Sequence, residues 1–573
     1  MIKRIKVGMA SCGIAAGATE VKEKIEEVAP EENVIEVGCI GHCYGEPLVE
    51  IETEDENIIY RDVEPEEDFI EKMLDLEDFS RFEPPKVREE WEEKYVTELA
   101  GKIEPNSLPE YRDNGGYRAL HQALEMDPEE IVEEVKTSGL RGRGGGGFPT
   151  GMKWDFLAAK EEEEKVLICN ADEGDPGAFM DRTLMESLPH QLLEGMLIGA
   201  YATGASELFI YCRAEYPLAV KRLNMAIDKI KEEGLNNLNG REVDIVVKEG
   251  AGAFVCGEET AMIHSLEGKR GNPRYRPPYP TDEGFKGRPT LINNVETFSN
   301  IPLIIREGGE SFSEKGTENS TGTKLFALAG DLEYTGLVEV PMGISIHDVV
   351  YGIGGAEEGS VKAVQIGGPS GGCIPEEHFD TPVDYDSLTD LGAIMGSGGL
   401  IVISKGRCMV ETARYFLDFT TEESCGKCTF CRVGTKRMLE KLERITGGEG
   451  TVKDVDDLED LSHKIIKSSL CGLGQTAPNP VLTTLDYFRD EYLSHVEEDY
   501  CPAFECSALV EIYLDDDICI ECENCIEACP VDAISEEFEV DDEACTRCNS
   551  CIEVCPVDAI SRVRKGGKVD VQS

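Results

Sequence analysis

A cysteine pattern that occurs twice between residues 519 and 556 constrains the fold of this chain more than any other feature. Both runs have the spacing C-x2-C-x2-C-x3-C-P and end in Pro-Val-Asp-Ala-Ile; their cysteines are Cys519, Cys522, Cys525 and Cys529, then Cys545, Cys548, Cys551 and Cys555. Cysteines this close in sequence cannot form a disulfide framework with acceptable geometry, whereas they suit metal or iron–sulfur ligation. Because such thiolates persist best in a reducing compartment, we expect a cytoplasmic protein.

The spacing is that of two-cluster bacterial ferredoxins, in which three cysteines of one run hold a cluster and the fourth crosses to the other cluster. We therefore expect residues 514–573 to form a domain with two [4Fe–4S] clusters. Zinc sites do not explain the third cysteine or the repeated Cys-Pro ending. The expected ligand sets are Cys519, Cys522, Cys525 and Cys555 for one cluster, and Cys545, Cys548, Cys551 and Cys529 for the other.

A third [4Fe–4S] cluster is indicated by Cys425, Cys428 and Cys431, whose spacing lets three thiolates face one cluster. The nearest downstream candidate for the fourth ligand is Cys471. The intervening residues have helical periodicity, interrupted at Gly447-Gly448. We expect residues 406–500 to form a helical bundle that returns Cys471 to the triplet.

The charge of the chain excludes several functions. With 56 basic and 114 acidic residues the net charge is −58, a field that repels nucleic acid and anionic lipid. No apolar run approaches the roughly 20 residues of a membrane helix, and the first residues lack the apolar core of a signal peptide. With 40% hydrophobic residues the chain can still bury several cores. We expect no nucleic-acid and no membrane partner.

A glycine-rich loop at residues 139–151 contains G-x-G-x-x-G but lacks the sequence context of a Rossmann dinucleotide-binding fingerprint. That fingerprint must follow a strand, and the preceding residues 128–136 have the pattern of an amphipathic helix. A loop of this kind, flanked by Arg141, Arg143 and Lys153, suits a phosphate with a flat aromatic ring lying over it.

Three further segments combine glycines with polar groups, at residues 170–177, 250–260 and 290–297. The first follows a strand-like run at residues 165–169, and polar groups at a strand's carboxyl end are where open α/β sheets bind ligands. Each segment alone is equally well explained as a turn or a cap. Together with the glycine loop they favour one ligand site.

These motifs resemble one family, the NADH-oxidising flavoprotein subunit of complex I and its hydrogenase relatives. The matching segments lie in order between about residues 115 and 500: GLRGRGGGGFPTGMKW, CNADEGDPGAF, GAGAFVCGEETA, PTLINNVETFSN and ESCGKCTFCRVGT. With a front segment and a terminal ferredoxin, the chain is most similar to the NAD-binding β subunit of electron-bifurcating iron hydrogenases. NAD(P)-linked formate dehydrogenases use close relatives.

The resemblance implies bound FMN and NAD(H), with the flavin rather than a side chain as the chemical actor. The implied FMN residues are Gly142, Arg143, Gly144, Lys153, Asn170, Asp172, Glu173, Gly257, Glu258, Asn293, Asn294 and Thr297. The implied NADH residues are Phe148, Phe156, Asp175, Glu259, Arg276 and Tyr279. Asp175 replaces the usual glutamate, and Arg276 and Tyr279 replace lysine and phenylalanine; Arg276 leaves NADPH open because a guanidinium can hold a 2′-phosphate.

The expected fold is multidomain α/β. Its segments are a thioredoxin-like ferredoxin-type module at 1–75, a linker at 76–114, a Rossmann-like FMN/NADH domain at 115–319, a ubiquitin-like β-grasp domain at 320–405, the helical bundle at 406–500, a zinc-binding linker at 501–513 and the ferredoxin at 514–573.

The front module departs from the four-cysteine [2Fe–2S] pattern that it resembles. Cys12, Cys39 and Cys43 are present, but the expected second cysteine falls in residues 13–17, which contain none. Two interpretations remain open: a structural module without a stable cluster, or a modified cluster completed by His42 or an outside group.

A possible zinc site consists of His495, Cys501 and Cys506, with no fourth ligand evident. The alternative is a capped helix end followed by two loop thiols. The remaining cysteines lie singly in apolar surroundings and are expected to be core residues: Cys169, Cys212, Cys256, Cys373 and Cys408.

The function expected from the resemblance is electron exchange between NAD(H), FMN and iron–sulfur clusters, in a complex that permits bifurcation. The implied partners are a hydrogenase catalytic subunit, a small [2Fe–2S] subunit and soluble ferredoxin. The alternatives are the equivalent subunit of an NAD(P)-linked formate dehydrogenase and a non-catalytic electron relay.

Overall fold

The computed structural model describes residues 2–30, 32–85 and 91–566, and the chain divides into two compact units between residues 403 and 404. Within the described residues, no helix combines the length and the hydropathy needed to cross a bilayer.

The described residues between 2 and 75 of unit 1 form a four-stranded sheet with helices. In chain order the strands are β1 (Ile2–Gly8), β2 (Val34–Val37), β3 (Val49–Thr53) and β4 (Asn57–Tyr60), arranged β2-β1-β3-β4, and the helices are Ser11–Ala16, Ala18–Val28 and Glu67–Leu74. β2 is parallel to β1, whereas β3 is antiparallel to it. Alternate residues of β3 are buried, as expected for a strand with one face on a core.

A four-stranded parallel sheet forms the centre of unit 1, in the order β10-β5-β6-β9. Its strands, with a short hairpin between them, are β5 (Lys165–Ala171), β6 (Ala205–Arg213), β7 (Asn237–Leu238), β8 (Arg241–Glu242), β9 (Asp244–Gly250) and β10 (Thr290–Asn294). β5 is buried over nearly its whole length because helices cover both faces of a parallel sheet.

The helices of this region begin ahead of the sheet and continue between its strands. They are Leu108–Asp113, Arg118–Glu125, Pro128–Thr137, Thr150–Ala158, Met180–Ser187, Pro189–Thr203, Pro217–Glu232, Glu259–Leu266, Val295–Glu307 and Gly309–Ser313. The helix Pro128–Thr137 precedes the glycine loop, which confirms that the loop does not follow a strand. Val96, Ile103 and Tyr111 belong to the same core as the sheet, so part of the segment expected to be a linker is packed.

The last sheet of unit 1 is mixed and five-stranded. A small hairpin, β11 (Gly316–Thr317) and β12 (Ser320–Thr321), precedes β13 (Thr323–Gly330), β14 (Gly336–Pro341), β15 (Val361–Ile366), β16 (Gly372–Pro375) and β17 (Gly399–Ser404). The order is β14-β13-β17-β15-β16, with β13 and β17 parallel and both hairpins antiparallel. A π-helical segment, Asp348–Ile353, and a helix, Tyr385–Asp390, connect the strands.

Unit 2 begins with a helical bundle. Its helices are Met409–Glu422, Lys436–Thr446, Val452–Ser468, Gly472–Thr476 and Asn479–Glu497, and a π-helical turn, Phe430–Thr435, precedes the second. The break expected at Gly447-Gly448 is confirmed, since one helix ends at Thr446 and the next begins at Val452.

The last regular element of unit 2 is a pair of antiparallel strands. Its strands are β18 (Val510–Leu514) and β19 (Ile560–Arg564), and two short helices, Asn524–Ala528 and Ser550–Glu553, lie between them. The two helices occupy equivalent positions in the two cysteine runs, so the sequence repeat is also a structural repeat.

Candidate functional site

The order of the parallel sheet creates one topological switch point. The chain moves from β5 to β6 and β9 on one side, then returns to β10 on the other side of β5. Open α/β sheets bind ligands outside the carboxyl ends of their strands at such a point. The parallel register pairs Asn294 with Asn170 and Asn293 with Cys169, so two polar segments identified in the sequence meet at this edge.

Asn170 connects the first polar segment to the second. Its Nδ2 donates to the carbonyl of Gly257 at 2.9 Å, and its Oδ1 accepts from the backbone N–H of Asp172 at 3.1 Å. A Cβ built on Gly257 would lie 3.4 Å from the carbonyl oxygen of Asp172, so the two segments are in close contact.

The glycine loop and the helix that follows it are bound to β10 and to the helix after β10, through Asn293 and Thr297. The indole Nε1 of Trp154 donates to Oδ1 of Asn293 at 3.0 Å, and Oγ1 of Thr297 accepts from the backbone N–H of Arg143 at 2.9 Å. Asn294 caps the helix Val295–Glu307 by accepting the N–H groups of Glu296 and Thr297. The fourth sequence motif therefore fixes the position of the first.

The two arginines of the glycine loop brace the loop itself. The Arg143 side chain is wholly buried and donates to the carbonyls of Thr321 at 2.6 Å and Arg141 at 3.0 Å. The Arg141 guanidinium lies 4.3 Å from the ring centroid of Tyr385. The loop therefore presents mainly backbone groups to a ligand. A Cβ on Gly146 would meet no atom within 4 Å, so there is open space beside this residue. A Cβ on Gly144 would lie 3.0 Å from the Cβ of Asn294, so the loop backbone closely approaches Asn294 there.

Lys153 and Glu259 are paired at the next edge of the site. Nζ of Lys153 contacts Oε1 of Glu259 and donates to the carbonyl of Ile292 at 2.6 Å. Arg276 lies 3.7 Å from the other carboxylate oxygen of Glu259. The Glu259 carboxylate is therefore in contact with two cations, Lys153 and Arg276. Glu258 caps the helix Glu259–Leu266 by accepting the N–H groups of the next turn.

Exposed aromatic rings lie beside this polar edge. Phe148 is 47% exposed and Phe156 45%, with ring centroids 6.4 Å apart, and Tyr279 is 53% exposed. Large apolar side chains that remain exposed in a group mark a binding surface.

Two buried carboxylates, Glu173 and Asp181, and the half-buried Asp175 lie close to the switch point. Glu173 accepts the backbone N–H groups of Asp181 and Arg182, and Asp181 accepts from Nδ2 of Asn294. Burial raises the pKa of Asp175 to about 7, the charge of Glu173 adds to the effect, and a hydrogen bond from Ser397 at 3.2 Å opposes it. Asp181 is absent from the sequence-derived set because it lies outside every recognisable motif.

The C-terminal repeat encloses two cavities with different cysteine linings. One is lined by Cys519, Cys522, Cys525 and Cys555. The other is lined by Cys529, Cys545, Cys548 and Cys551. Each cavity thus combines three thiols of one run with the fourth thiol of the other.

The four cysteines of the bundle also lie near one another. Cys471 caps the short helix Gly472–Thr476, and Cys431 belongs to the π-helical turn. Burial raises the pKa of Cys431 to about 11, and Cys425, Cys428 and Cys471 are close enough to contribute. Oγ of Ser424 lies 3.2 Å from the sulfur of Cys431.

A fully buried group of four side chains that could hold a metal ion lies elsewhere in unit 2. It contains the three residues expected from the sequence, His495, Cys501 and Cys506, together with Cys408, and all four ligand atoms lie within 4.8 Å of one another. Cys408 is buried in the core, as expected, but it does not lie singly, because its sulfur lies 3.5 Å from Nε2 of His495 and 3.7 Å from the sulfur of Cys506. Cys169, Cys212, Cys256 and Cys373 are buried, as expected.

The front module brings its three cysteines together as well. The sulfurs of Cys12, Cys39 and Cys43 lie within 4.8 Å of one another. His42 turns to aromatic neighbours, with its ring centroid 4.9 Å from that of Phe82.

Comparisons with known proteins agree with this arrangement. Residues 135–303 match the Nuo51 FMN-binding domain, residues 411–495 the NADH-ubiquinone oxidoreductase-F iron-sulfur binding region, and residues 512–562 the 4Fe-4S dicluster domain. The chain is 51% identical over 448 residues to the NADP-reducing hydrogenase subunit HndC of Solidesulfovibrio fructosivorans, covering 77% of this chain and 91% of that protein. It is 46% identical over 402 residues to the F 2 subunit of the NADH-quinone oxidoreductase of Rhizobium meliloti, covering 69% and 96%.

A solved structure is similar over most of the chain. The crystal structure of an NAD+-reducing [NiFe]-hydrogenase in the H2-reduced state aligns with a TM-score of 0.63 at 32% identity, covering 86% of this chain and 84% of the matched chain. The class defined by these matches is that of oxidoreductase subunits with an FMN-binding domain and [4Fe–4S] regions. Within that class, the chain belongs to the family of NADH-binding subunits found in complex I and in NAD-reducing hydrogenases.

Proposed function

We propose that this protein exchanges hydride between NAD(H) and FMN and passes electrons to a hydrogenase partner and to ferredoxin, in an electron-bifurcating complex. The observation that carries the proposal is the switch-point edge, where the glycine loop, Asn170, Asn293, Asn294 and Glu258 converge on one cradle. The relative from Solidesulfovibrio is an NADP-reducing hydrogenase subunit, which supports a hydrogenase partner.

The cradle suits FMN in shape and chemistry. Gly146 leaves open space where any other residue would project a side chain, and Lys153 supplies a cation for a phosphate. Bound there, FMN would supply two-electron exchange with NAD(H) and one-electron exchange with iron–sulfur clusters. The residues assigned to FMN are Gly142, Arg143, Gly144, Lys153, Asn170, Asp172, Glu173, Gly257, Glu258, Asn293, Asn294 and Thr297, with Arg143 acting through its backbone.

NAD(H) is assigned to the exposed side of the same edge. Phe148, Phe156 and Tyr279 offer aromatic faces, and Asp175, Glu259 and Arg276 supply polar groups beside them. No side chain is assigned as a proton-transfer catalyst. The protein binds the nucleotide, orients it and excludes water.

Three [4Fe–4S] clusters are assigned to the three cysteine groups of unit 2. The crossed lining of the two ferredoxin cavities supports the ligand sets expected from the repeat. The third set is Cys425, Cys428, Cys431 and Cys471. A bifurcating subunit requires two routes for electrons. Here one route would run through the bundle cluster, and the other through the two clusters of the C-terminal ferredoxin.

Zinc is assigned to the set Cys408, His495, Cys501 and Cys506. With Zn–S of about 2.3 Å and Zn–N of about 2.0 Å, a tetrahedral site places sulfur about 3.8 Å from sulfur and about 3.5 Å from nitrogen. The distances of 3.7 Å between Cys408 and Cys506 and of 3.5 Å between Cys408 and His495 agree with these values. Nδ1 of His495 lies 2.7 Å from the carbonyl of Glu491, a backbone contact typical of a zinc-bound histidine because it fixes the orientation of the ring.

The strand order supports the domain assignments. The arrangement β2-β1-β3-β4 supports a thioredoxin-like module at 1–75, and β14-β13-β17-β15-β16 supports a β-grasp domain at 320–405. The FMN/NADH domain at 115–319 takes packed residues from the preceding segment, and the ferredoxin includes β18 from the segment 501–513.

Flavin absorbance tests the nucleotide site. The complex purified without oxygen should carry FMN whose absorbance NADH bleaches, and Lys153→Met should abolish the bleaching. Lys160→Met is the matched control, because Lys160 pairs with Asp282 at the surface beyond the end of the same helix. A wild-type protein that carries no FMN and does not respond to NADH would instead be the electron relay.

Mass spectrometry of the co-purified subunits tests the partner. A subunit with iron-hydrogenase cysteine motifs supports the proposal. A formate dehydrogenase subunit would assign this protein to an NAD(P)-linked formate dehydrogenase instead.

A further inference from the structure

The front module holds three thiols but lacks the fourth cysteine of a [2Fe–2S] ligand set. Cys12 opens the helix that follows β1, whereas Cys39 and Cys43 lie on the loop after β2. The sulfurs of Cys12 and Cys39 are 3.7 Å apart, and all three sulfurs lie within 4.8 Å of one another.

These distances fit a single metal ion. A tetrahedral ion with metal–sulfur bonds of about 2.3 Å separates its sulfurs by about 3.8 Å. A [2Fe–2S] cluster takes four ligands, two on each of two irons, so its two ligand pairs must be spread across the cluster. Three sulfurs converging on one point do not provide that spread.

Glu46 contacts one of the three thiols, although its carboxylate does not lie within 4.8 Å of all three sulfurs and would have to move toward the others to complete the set. Its Oε1 is 3.6 Å from the sulfur of Cys12. Bonds of about 2.3 Å to sulfur and about 2.1 Å to oxygen give a tetrahedral edge of about 3.6 Å. The carboxylate also takes space next to the segment 13–17, where the second cysteine is expected, because a Cβ on Gly13 would lie 3.0 Å from Oε2 of Glu46.

His42, the substitute considered from the sequence, is placed differently. Its ring packs against Phe82, and its Nδ1 lies 3.4 Å from the hydroxyl of Tyr44. The carboxylate is therefore the better candidate of the two.

We propose that Cys12, Cys39, Cys43 and Glu46 hold one tetrahedral zinc ion in place of a [2Fe–2S] cluster. Three thiolates favour zinc among the common divalent ions, and one carboxylate completes a closed structural site. Zinc has no redox chemistry, so the front module would not carry electrons.

The contacts of the loop indicate what the ion would do. The backbone N–H of Cys39 donates to Oγ of Ser187 at 3.1 Å, and the N–H and hydroxyl of Ser11 both donate to Glu186. These partners end the helix Met180–Ser187, which carries Asp181 at the switch point. A zinc ion that fixes Cys12 and Cys39 would therefore fix the front module on the nucleotide-binding domain.

Metal analysis of the native complex, purified without oxygen or chelators, tests the proposal. Wild type and four variants are compared: Cys39→Ser, Glu46→Gln, His42→Gln and Glu54→Gln, the last being a matched control in the exposed turn between β3 and β4. We expect Cys39→Ser to lose one zinc per chain and Glu46→Gln to lose part of that zinc. His42→Gln and Glu54→Gln should keep it, and iron and flavin should be unchanged in all, which also shows that each variant is folded.

Two results would overturn the proposal. One is a zinc content that Cys39→Ser leaves equal to that of wild type. The other is an electron paramagnetic resonance signal of a reduced [2Fe–2S] cluster that this variant removes together with iron. If Glu46→Gln keeps full zinc while His42→Gln loses it, Glu46 is not the fourth ligand. Because FMN and the [4Fe–4S] clusters are measured in the same samples, failure of the zinc site is distinguishable from failure of the proposed function.

Discussion

A buried ion pair between Lys324 and Glu296 joins the five-stranded sheet to the helix that follows β10. Both side chains are at most 1% exposed, and Nζ of Lys324 lies 2.5 Å from Oε2 of Glu296. The same Nζ donates to the carbonyls of Leu325 and Ser397, and Oε1 of Glu296 accepts the N–H of Leu325. Replacing Lys324 with methionine removes the ammonium and leaves the carboxylate buried, with Arg143 4.0 Å away.

The expected cost of Lys324→Met is about 3–5 kcal/mol, because it strands a buried charge. Glu296→Gln strands the ammonium and should cost a similar amount. The double variant removes both of these charges and leaves Arg143 as the remaining buried cation, while the amide oxygen of a glutamine at position 296 can still accept from Leu325. We expect the double variant to lose less free energy of unfolding than the two single variants lose together, with a coupling free energy of about 3 kcal/mol.

Apparent melting temperature and retained FMN measure this cycle. For a unit of this size, about 2 °C per kcal/mol predicts a fall of about 6–10 °C for each single variant. Bound FMN should fall in parallel, since Glu296 lies between Asn294 and Thr297. If the double variant melts as low as the sum of the two single changes, the two groups act independently and the argument from a stranded charge is wrong.

Three further predictions concern pH, the glycine loop and salt. Burial lowers the pKa of His190 to about 4, so below pH 6.5 the unfolded chain binds a proton that the folded chain does not. This difference should contribute a loss of about 2 kcal/mol of stability between pH 7.5 and pH 5. The melting temperature of His190→Gln should therefore fall less steeply over this pH range than that of wild type, and equal slopes would contradict the prediction. Gly144→Ala should lower the amount of bound FMN, because the new Cβ would lie 3.0 Å from the Cβ of Asn294. Gly406→Ala, which has open space around it, should not, and equal flavin content in the two variants would contradict the close approach of the loop to Asn294. Because a net charge of −58 repels an acidic ferredoxin, added KCl should accelerate ferredoxin reduction, and a steady fall in rate would instead indicate a local basic docking patch.

Local spacing explains which features could be predicted from the sequence. The ferredoxin repeat, the helix before the glycine loop and the break at Gly447-Gly448 depend on residues close together in the chain, so a short stretch of sequence was enough to indicate each of them. The convergence of residues 170–177 and 290–297 also followed, because strands of a parallel sheet present their carboxyl ends at one edge.

Long-range pairings explain what could not be predicted. Cys408 is a single cysteine in an apolar segment, and only the packing of its helix against Asn479–Glu497 brings it to His495. Glu46 has no spacing that marks a carboxylate as a ligand among cysteines. The burial of Arg143 depends on Thr321 and Glu296, which lie far along the chain.

The crossed lining of the ferredoxin cavities has a consequence for biogenesis. Cys555 faces the cavity of the first run, and Cys529 faces that of the second. Under the proposed ligation, the first cluster cannot be finished on the ribosome until the second run has been synthesised. Under the same ligation neither run is a complete ligand set by itself, so a gene that lost one run would encode no complete cluster site in this domain.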